Sequence, residues 1–277
     1  ALAGPATAVA LCCCGPMIEA PRETSMGPVL ELALEAVWKA GRVTLAHFQT
    51  GVKVEAKADE TPVTVADREA ERTMRSLIEA RFPHDGILGE EFGETRPPAP
   101  RRWILDPIDG TRAFVHGVPL YGVLLAVEEA RELQVGVAHF PALQETLWAA
   151  RGHGCHLNGR RVRVSDVDRL DAALVLATDA EAFASSAKVE RWRRLCRATR
   201  LVRTWGDAYG YALVASGRAE VMLDAQFSVW DAAAVRILVE EAGGVFTDWQ
   251  GNPTHLGGSG VATNAALAEA VRERLRG

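Results

Sequence analysis

The chain lacks an excess of positive charge: among its 277 residues, 31 lysines and arginines face 36 aspartates and glutamates, for a net charge of −5. That disfavours a general nucleic-acid binder, whose footprint is basic. It leaves a phosphorylated substrate open, because a bound divalent cation supplies positive charge that side-chain counting misses. Long apolar runs are missing as well. Residues 1–18 carry no charge, but Pro5, Gly15 and Pro16 interrupt them, and a membrane span needs about 20 apolar residues. No basic region precedes them, as a secretory signal requires, and Leu11 is poorly suited to precede a lipoprotein cleavage at Cys12. Residues 1–28 therefore read as a disordered extension, or as upstream sequence from a misplaced start, with Met17 or Met26 as alternatives. Paired cysteines are absent too. Three of the five are Cys12, Cys13 and Cys14, and Cys155 and Cys196 stand alone, with no C-x-x-C and no Cys/His zinc spacing. A reducing cytoplasm is the simplest compartment, with Cys155 and Cys196 as small apolar side chains. No solenoid repeat and no long low-complexity linker occurs.

What is present is an ordinary globular composition, 48 % apolar and 24 % charged. At roughly 150 residues per domain the length suits one large or two small domains, enough to bury a core without disulfides. Val29, Leu32, Ala33, Ala36, Val37 and Ala40 share one face of a helix over 28–48. A second amphipathic helix spans 64–82, with Thr64 and Asp67 as start signal and Pro83 as stop. Apolar runs at 87–89, 103–105, 120–127, 134–140 and 145–149 read as strands, the last three as an antiparallel meander. Beyond Asp166 strands (174–177, 220–223, 245–247, 261–262) alternate with helices (188–199, 208–216, 230–242, 264–275). This pattern predicts an α+β half over 29–165 and a layered α/β half over 166–277.

The chemistry lies in carboxylates. In Trp103-Ile-Leu-Asp-Pro-Ile-Asp-Gly-Thr-Arg112 an apolar strand delivers Asp106 at its end, Pro107 fixes a turn, and Asp109 returns three residues later. Gly110 and Thr111 then open a helix whose free N–H groups favour an anion. Glu90-Glu91 ends another short strand, and Asp231 starts a helix far along the chain. Oxygen-only ligands suit hard cations such as Mg²⁺ or Mn²⁺, and several carboxylates around a phosphate-binding helix start suit metal-assisted phosphoester hydrolysis. Each has a plainer reading: Asp before Pro as a turn residue, Asp231 as a helix N-cap, Glu90-Glu91 as a solvated loop. Spacing alone leaves both readings open.

Taken in order, Glu90-Glu91, Asp106-Pro-Ile-Asp-Gly-Thr111 and Trp230-Asp231 resemble the three signatures of the inositol monophosphatase family of Mg²⁺-dependent phosphatases, over roughly residues 30–275. The resemblance implies a layered α-β-α-β-α sandwich, with the α+β half carrying the metal loops and the site between the halves. It implies that Glu90, Asp106 and the Ile108 carbonyl bind a first Mg²⁺, that Asp106, Asp109 and Asp231 bind a second, and that a third, weaker ion shares Glu90. Mn²⁺ is the alternative metal. Gly110 and Thr111 would hold phosphate through backbone N–H groups. Thr64-Val-Ala-Asp67 matches the family's Thr-x-x-Asp element, so Asp67 and Thr111 would orient the attacking water, with Glu90 counted beside them as catalytic. The plainer reading of Asp67 is a first-turn helix carboxylate. Lys57, in Lys57-Ala-Asp59, matches a mobile loop that closes over the site, or is a surface lysine. With no matched Cys or Ser nucleophile, in-line attack by metal-activated water without a covalent phosphoenzyme is expected. Family members are often homodimers, so a soluble cytoplasmic homodimer acting on a small phosphorylated metabolite, without nucleic acid or membrane, is the expectation.

Substrate choice rests on a few positions. Inositol-specific members carry Thr-Asn after Asp-Gly-Thr, where this chain has Arg112-Ala113. Thr111-Arg112-Ala-Phe, Gly117-Val-Pro-Leu-Tyr-Gly122 and Gly206-Asp207-Ala-Tyr-Gly-Tyr211 look more like the histidinol-phosphate phosphatase branch. Asp207 would pair with the cationic amine or imidazole of histidinol, or else cap a helix. Arg112 would contact substrate, or else be a surface arginine. Asp224, seven residues before Asp231, stands where the family places a substrate-contacting acid, usually Glu. An inositol-1-phosphate or broad phosphatase is the alternative, and a catalytically dead metal-binding interaction protein a remote one. His116 and the Gly152-His-Gly-Cys-His156 turn are assigned no catalytic role.

Overall fold

The computed structural model describes residues 27–51, 54–56, 62–179, 182–183 and 188–276. Lys57 and the segment before Gly27 lie outside the described residues. Helices α1 (Gly27–His47) and α2 (Val65–Arg81) form the first layer. Leu30, Ala33, Val37, Met74 and Ile78 pack against Trp103, Leu125, Val137 and Trp148 of an eight-stranded sheet. Between the two helices, β1 (Val54–Ala56) and β2 (Pro62–Thr64) pair antiparallel.

The sheet contains β3 (Gly86–Gly89), β4 (Gly93–Thr95), β5 (Arg101–Asp109), β6 (Gly122–Glu129), β7 (Glu132–Phe140), β8 (Glu145–Ala150), β9 (Gly154–Leu157) and β10 (Arg160–Val162), in the order β10-β9-β8-β7-β6-β5-β3-β4. Only β3 and β5 run parallel, so the chain from β5 to β10 is an antiparallel meander. Helix α3 (Thr111–Val115) interrupts it directly after β5.

A second sheet holds β11 (Leu174–Ala177), β12 (Leu201–Arg203), β13 (Val221–Asp224), β14 (Val245–Thr247) and β15 (Gly260–Thr263), ordered β12-β11-β13-β15-β14. Its helices are α4 (Val189–Ala198), α5 (Asp207–Ala215), α6 (Val229–Glu241) and α7 (Ala268–Leu275). Tyr211, Ala233, Ile237 and Leu238 of α5 and α6 join Leu124, Ala138 and Leu147 of the first sheet and Leu176, Met222 and Ala262 of the second in one core. Trp192, Leu195, Val271 and Leu275 of α4 and α7 cover the far face, on Val175, Val221 and Leu223. Each sheet is therefore buried on both faces, and the layers run α-β-α-β-α. Among the described residues no helix is long and apolar enough to cross a membrane.

Three differences from the sequence reading have physical causes. The strand carrying Trp103 does not end at Asp106: β5 continues through Asp109, with a register shift against β6 between the two aspartates. Pro107 sits in a bulge, where its missing N–H leaves no ladder bond unmade. The final helix begins at Ala268 rather than Asn264. Fully buried Asn264 accepts Leu267 N–H at 3.0 Å and donates to the Ser165 and Val167 carbonyls, which holds the intervening residues out of the helix. The short strands β1, β2, β4, β9, β10 and β12 have no counterpart in the sequence pattern. They have three or four residues and little apolar alternation, so pairing with a neighbour decides them. Cys155 is buried, as expected of an apolar side chain, and Cys196 only partly so.

Candidate active site

The site forms where the bulge of β5 meets the starts of α5 and α6. Asp106 is 1 % exposed and its Oδ1 accepts the Ile108 N–H at 3.0 Å. This short loop turns the Asp109 carboxyl to the same side as Asp106. Gly110 follows with φ of +78°, which lets the chain leave the strand and start α3 at once. Thr111 Oγ1 donates to the Ile108 carbonyl at 3.0 Å, which stiffens this corner. Ala66, Ile108, Phe114 and Tyr121 pack as a small separate cluster, bringing the start of α2 against the bulge.

Asp231 arrives from the other half. It is the third residue of α6, not its N-cap: Ser228 caps, and Asp231 Oδ2 accepts the Ser228 N–H at 2.8 Å in a capping box. One oxygen serves the helix, and the carboxyl still reaches Asp106 and Asp109. Oxygens of these three residues all lie within 4.8 Å of one another. Burial, then the charges of Glu90, Asp231 and Asp109, hold the Asp106 carboxyl well above the usual range. Burial, then the charges of Asp207 and Asp231, do the same to Asp109, against the pull of the Ala208 N–H. Asp231 is pushed up to about 6, chiefly by burial. Buried carboxylates this close repel one another unless protons or a cation intervene. All the donors are oxygen, so the trio fits a hard divalent cation. Glu90 acts on Asp106 and Asp231 from beside the trio.

Asp67 is the third residue of α2, capped by Thr64. Its Oδ2 accepts both the N–H and the hydroxyl of Thr64, each at 2.7 Å. Its Oδ1 is buried without a partner among the described residues. Burial raises this carboxyl to about 6, helped by the charges of Glu91 and Glu90. The helix-start reading of Asp67 is thus geometrically right, yet it leaves one oxygen spare. Asp67 and Thr111 share no hydrogen bond, since the Thr111 hydroxyl points to Ile108.

On the opposite wall, Gly206 caps α5 and Asp207 is its first residue; the Asp207 carboxyl caps nothing. It turns toward Gly110 instead, where an added methyl would stand 3.0 Å from Asp207 Oδ2. Burial lifts Asp207 to about 6, opposed by the Arg112 charge. Arg112 itself is 75 % exposed and lies 3.8 Å from Asp179. Asp224 ends β13, accepts the Tyr211 hydroxyl at 2.9 Å, and is raised by burial to about 7.

Several positioning groups escaped the sequence reading. The Ala208 N–H at the start of α5 donates to Asp109 Oδ2 at 2.6 Å across 99 positions of sequence. Glu71 of α2 accepts the Glu91 N–H at 2.7 Å and the Phe92 N–H at 3.3 Å, and so holds the turn after β3. Glu71 and Arg75 read in sequence as an ordinary surface pair at helical spacing; no local signal marks them as buried. His156, left unassigned above, stacks on Trp148 at 4.1 Å between ring centroids.

Comparison with known proteins follows this geometry. The model of the inositol monophosphatase family matches residues 25–276. A histidinol-phosphatase of Chlorobaculum parvum is 48 % identical over 244 residues, covering 87 % of this chain and 94 % of that protein. A histidinol-phosphatase of Mycobacterium tuberculosis is 40 % identical over 252 residues, 89 % of this chain and 97 % of the other. Among solved structures, the extragenic suppressor protein SuhB of Bartonella henselae superposes with a TM-score of 0.85 at 29 % identity, covering 90 % of this chain and 99 % of that one.

Proposed function

Since the chain belongs to the inositol monophosphatase family, we propose that it hydrolyses a small phosphate monoester, L-histidinol phosphate, to L-histidinol and phosphate with Mg²⁺. The observation that carries the reading is the buried trio Asp106, Asp109 and Asp231, contributed by both halves with oxygens within 4.8 Å. The 48 % identity to a histidinol-phosphatase supports the substrate.

When bound, Mg²⁺ neutralises the trio, polarises the phosphoryl group and acidifies a water. Glu90, Asp106, the Ile108 carbonyl, Asp109 and Asp231 are the residues that would hold it. Asp67 takes the proton of the attacking water on Oδ1, while its bonds to Thr64 fix the carboxyl in place. Thr111 buttresses the Ile108 carbonyl and, with Gly110, presents backbone N–H groups to the phosphate. Asp207 and Asp224 receive the cationic part of the alcohol, for which an inositol ring offers no counterpart. Arg112, exposed beside Asp179, contacts the substrate.

The test is phosphate release from histidinol phosphate, inositol 1-phosphate and fructose 1,6-bisphosphate, with Mg²⁺ and with chelator. A kcat/KM preference for histidinol phosphate of about tenfold, or ~1.4 kcal/mol, is expected, and chelator abolishes turnover. Asp106→Asn abolishes it too, without loss of fold by circular dichroism. Comparable rates on all three substrates overturn the substrate, and near-normal turnover of Asp106→Asn overturns the site.

A further inference from the structure

Thr178, directly after β11, holds the backbone of Asp207, one of the two acids just assigned to the substrate cation. Its Oγ1 accepts the Asp207 N–H at 2.7 Å. Asp207 needs such a hold, because its φ of +53° is a left-handed conformation unusual for a residue with a side chain. That conformation aims its carboxyl at Gly110 instead of at its own helix. Contact between the two segments is at backbone range: a methyl added to Gly206 would stand 2.2 Å from Thr178 Cα. Asp224, whose Oδ2 accepts the Tyr211 hydroxyl, lies close enough to Asp207 for the two charges to repel.

Resting on the reading of Asp207 and Asp224 as the acids that face the substrate cation, we propose that Thr178 is the positioning residue for specificity: its hydroxyl holds the left-handed backbone of Asp207 and so fixes where that carboxyl points, beside Asp224, in a pair that fits a cationic alcohol. It touches no metal-binding carboxylate of the trio, so its loss changes which phosphate ester is preferred and spares the hydrolytic machinery.

The experiment compares the wild-type chain with Thr178→Val, which removes only the hydroxyl, and Thr178→Ser, which keeps it. Each is assayed with Mg²⁺ on histidinol phosphate and on inositol 1-phosphate, whose ring is uncharged. Thr178→Val raises KM for histidinol phosphate about tenfold, equivalent to ~1.4 kcal/mol, and leaves its kcat and the constants for inositol 1-phosphate near wild type. Thr178→Ser restores the wild-type KM. Thr178→Ala serves as a second hydroxyl deletion should Thr178→Val fail to fold. Equal losses on both substrates, or no rescue by serine, overturn this inference while the wild-type preference leaves the proposed substrate standing. A wild-type chain without preference for histidinol phosphate overturns both.

Discussion

At the third position of α2, Asp67 gives one carboxyl oxygen to its own helix start and keeps the other buried without a partner among the described residues. An acid used only for capping gains nothing from burial, which raises its pKa to about 6. That value suits a base acting near neutral pH. Asp67→Asn keeps the side-chain volume and should lower kcat about 100-fold or more, within the usual range for a lost general base. In the wild type, kcat/KM should fall as pH drops through about 6 or lower, because a nearby cation pulls the carboxyl down. The variant should lose that acid limb. A pH–rate profile of both proteins is the measurement; an acid limb of the same position in Asp67→Asn counts against the assignment. Asp67 was legible from sequence because its partner Thr64 is three residues away. The spare oxygen was not, since only burial by the rest of the protein makes it spare.

At the scale of elements, α2 supports the turn after β3. Glu71 is fully buried, accepts Arg75 Nε at 2.7 Å, and binds the backbone of Glu91 and Phe92. Arg75 in turn donates to the Gly93 carbonyl at 2.5 Å. Gly89 presses on this arrangement: a methyl there would stand 2.0 Å from Glu71 Oε1. Glu71 cannot yield freely, because three donors pin it. Gly89→Ala should therefore cost about 1–3 kcal/mol of stability, as overpacking does. It should also raise the Mg²⁺ concentration needed for half-maximal activity, although Glu90 itself is untouched. Denaturant unfolding and a metal titration read both effects. A variant with unchanged metal dependence would show that Glu71 does not hold the Glu90 turn. The two long helices and the meander are legible from period and length, whereas the end of β5 is not. Pro107 reads locally as a turn, but pairing of Asp109 with Gly122 beyond the bulge keeps the strand going.

Across the whole molecule, the site exists only because two sheets clamp α5 and α6 between them. The resulting concentration of buried acid has a thermodynamic consequence. Asp67, Asp231 and Asp224 lie at about 6, 6 and 7 in the folded chain, above the ~3.9 of an unfolded aspartate. Asp106 and Asp109 are raised as well. A raised pKa means that the folded state binds protons more tightly, so this stability is full below about pH 4 and lost as pH rises through 6 to 7. His139 works the other way: burial lowers it to about 4, so below about 6.5 the unfolded state gains protons that the folded state does not. With Asp207, also raised to about 6, six acids outweigh His139, His156 and His255, all lowered chiefly by burial, and the chelator-treated protein should melt at a higher temperature at pH 5.5 than at pH 8. Mg²⁺ should raise Tm strongly at pH 8 and weakly at pH 5.5. Scanning calorimetry at both pH values decides; equal stabilisation by Mg²⁺ at both would mean that the trio does not bind it. The sequence by itself determined the helices, the meander, the α/β alternation and the carboxylate motifs, because capping, periodicity and a three-residue spacing act between near neighbours. Only the tertiary structure brings Asp231 to Asp106 and Asp109, sets the Ala208 N–H on Asp109, and places the Thr178 hydroxyl on the Asp207 N–H. Those contacts join residues from 29 to 125 positions apart, and only the burial of helix faces against both sheets brings them together.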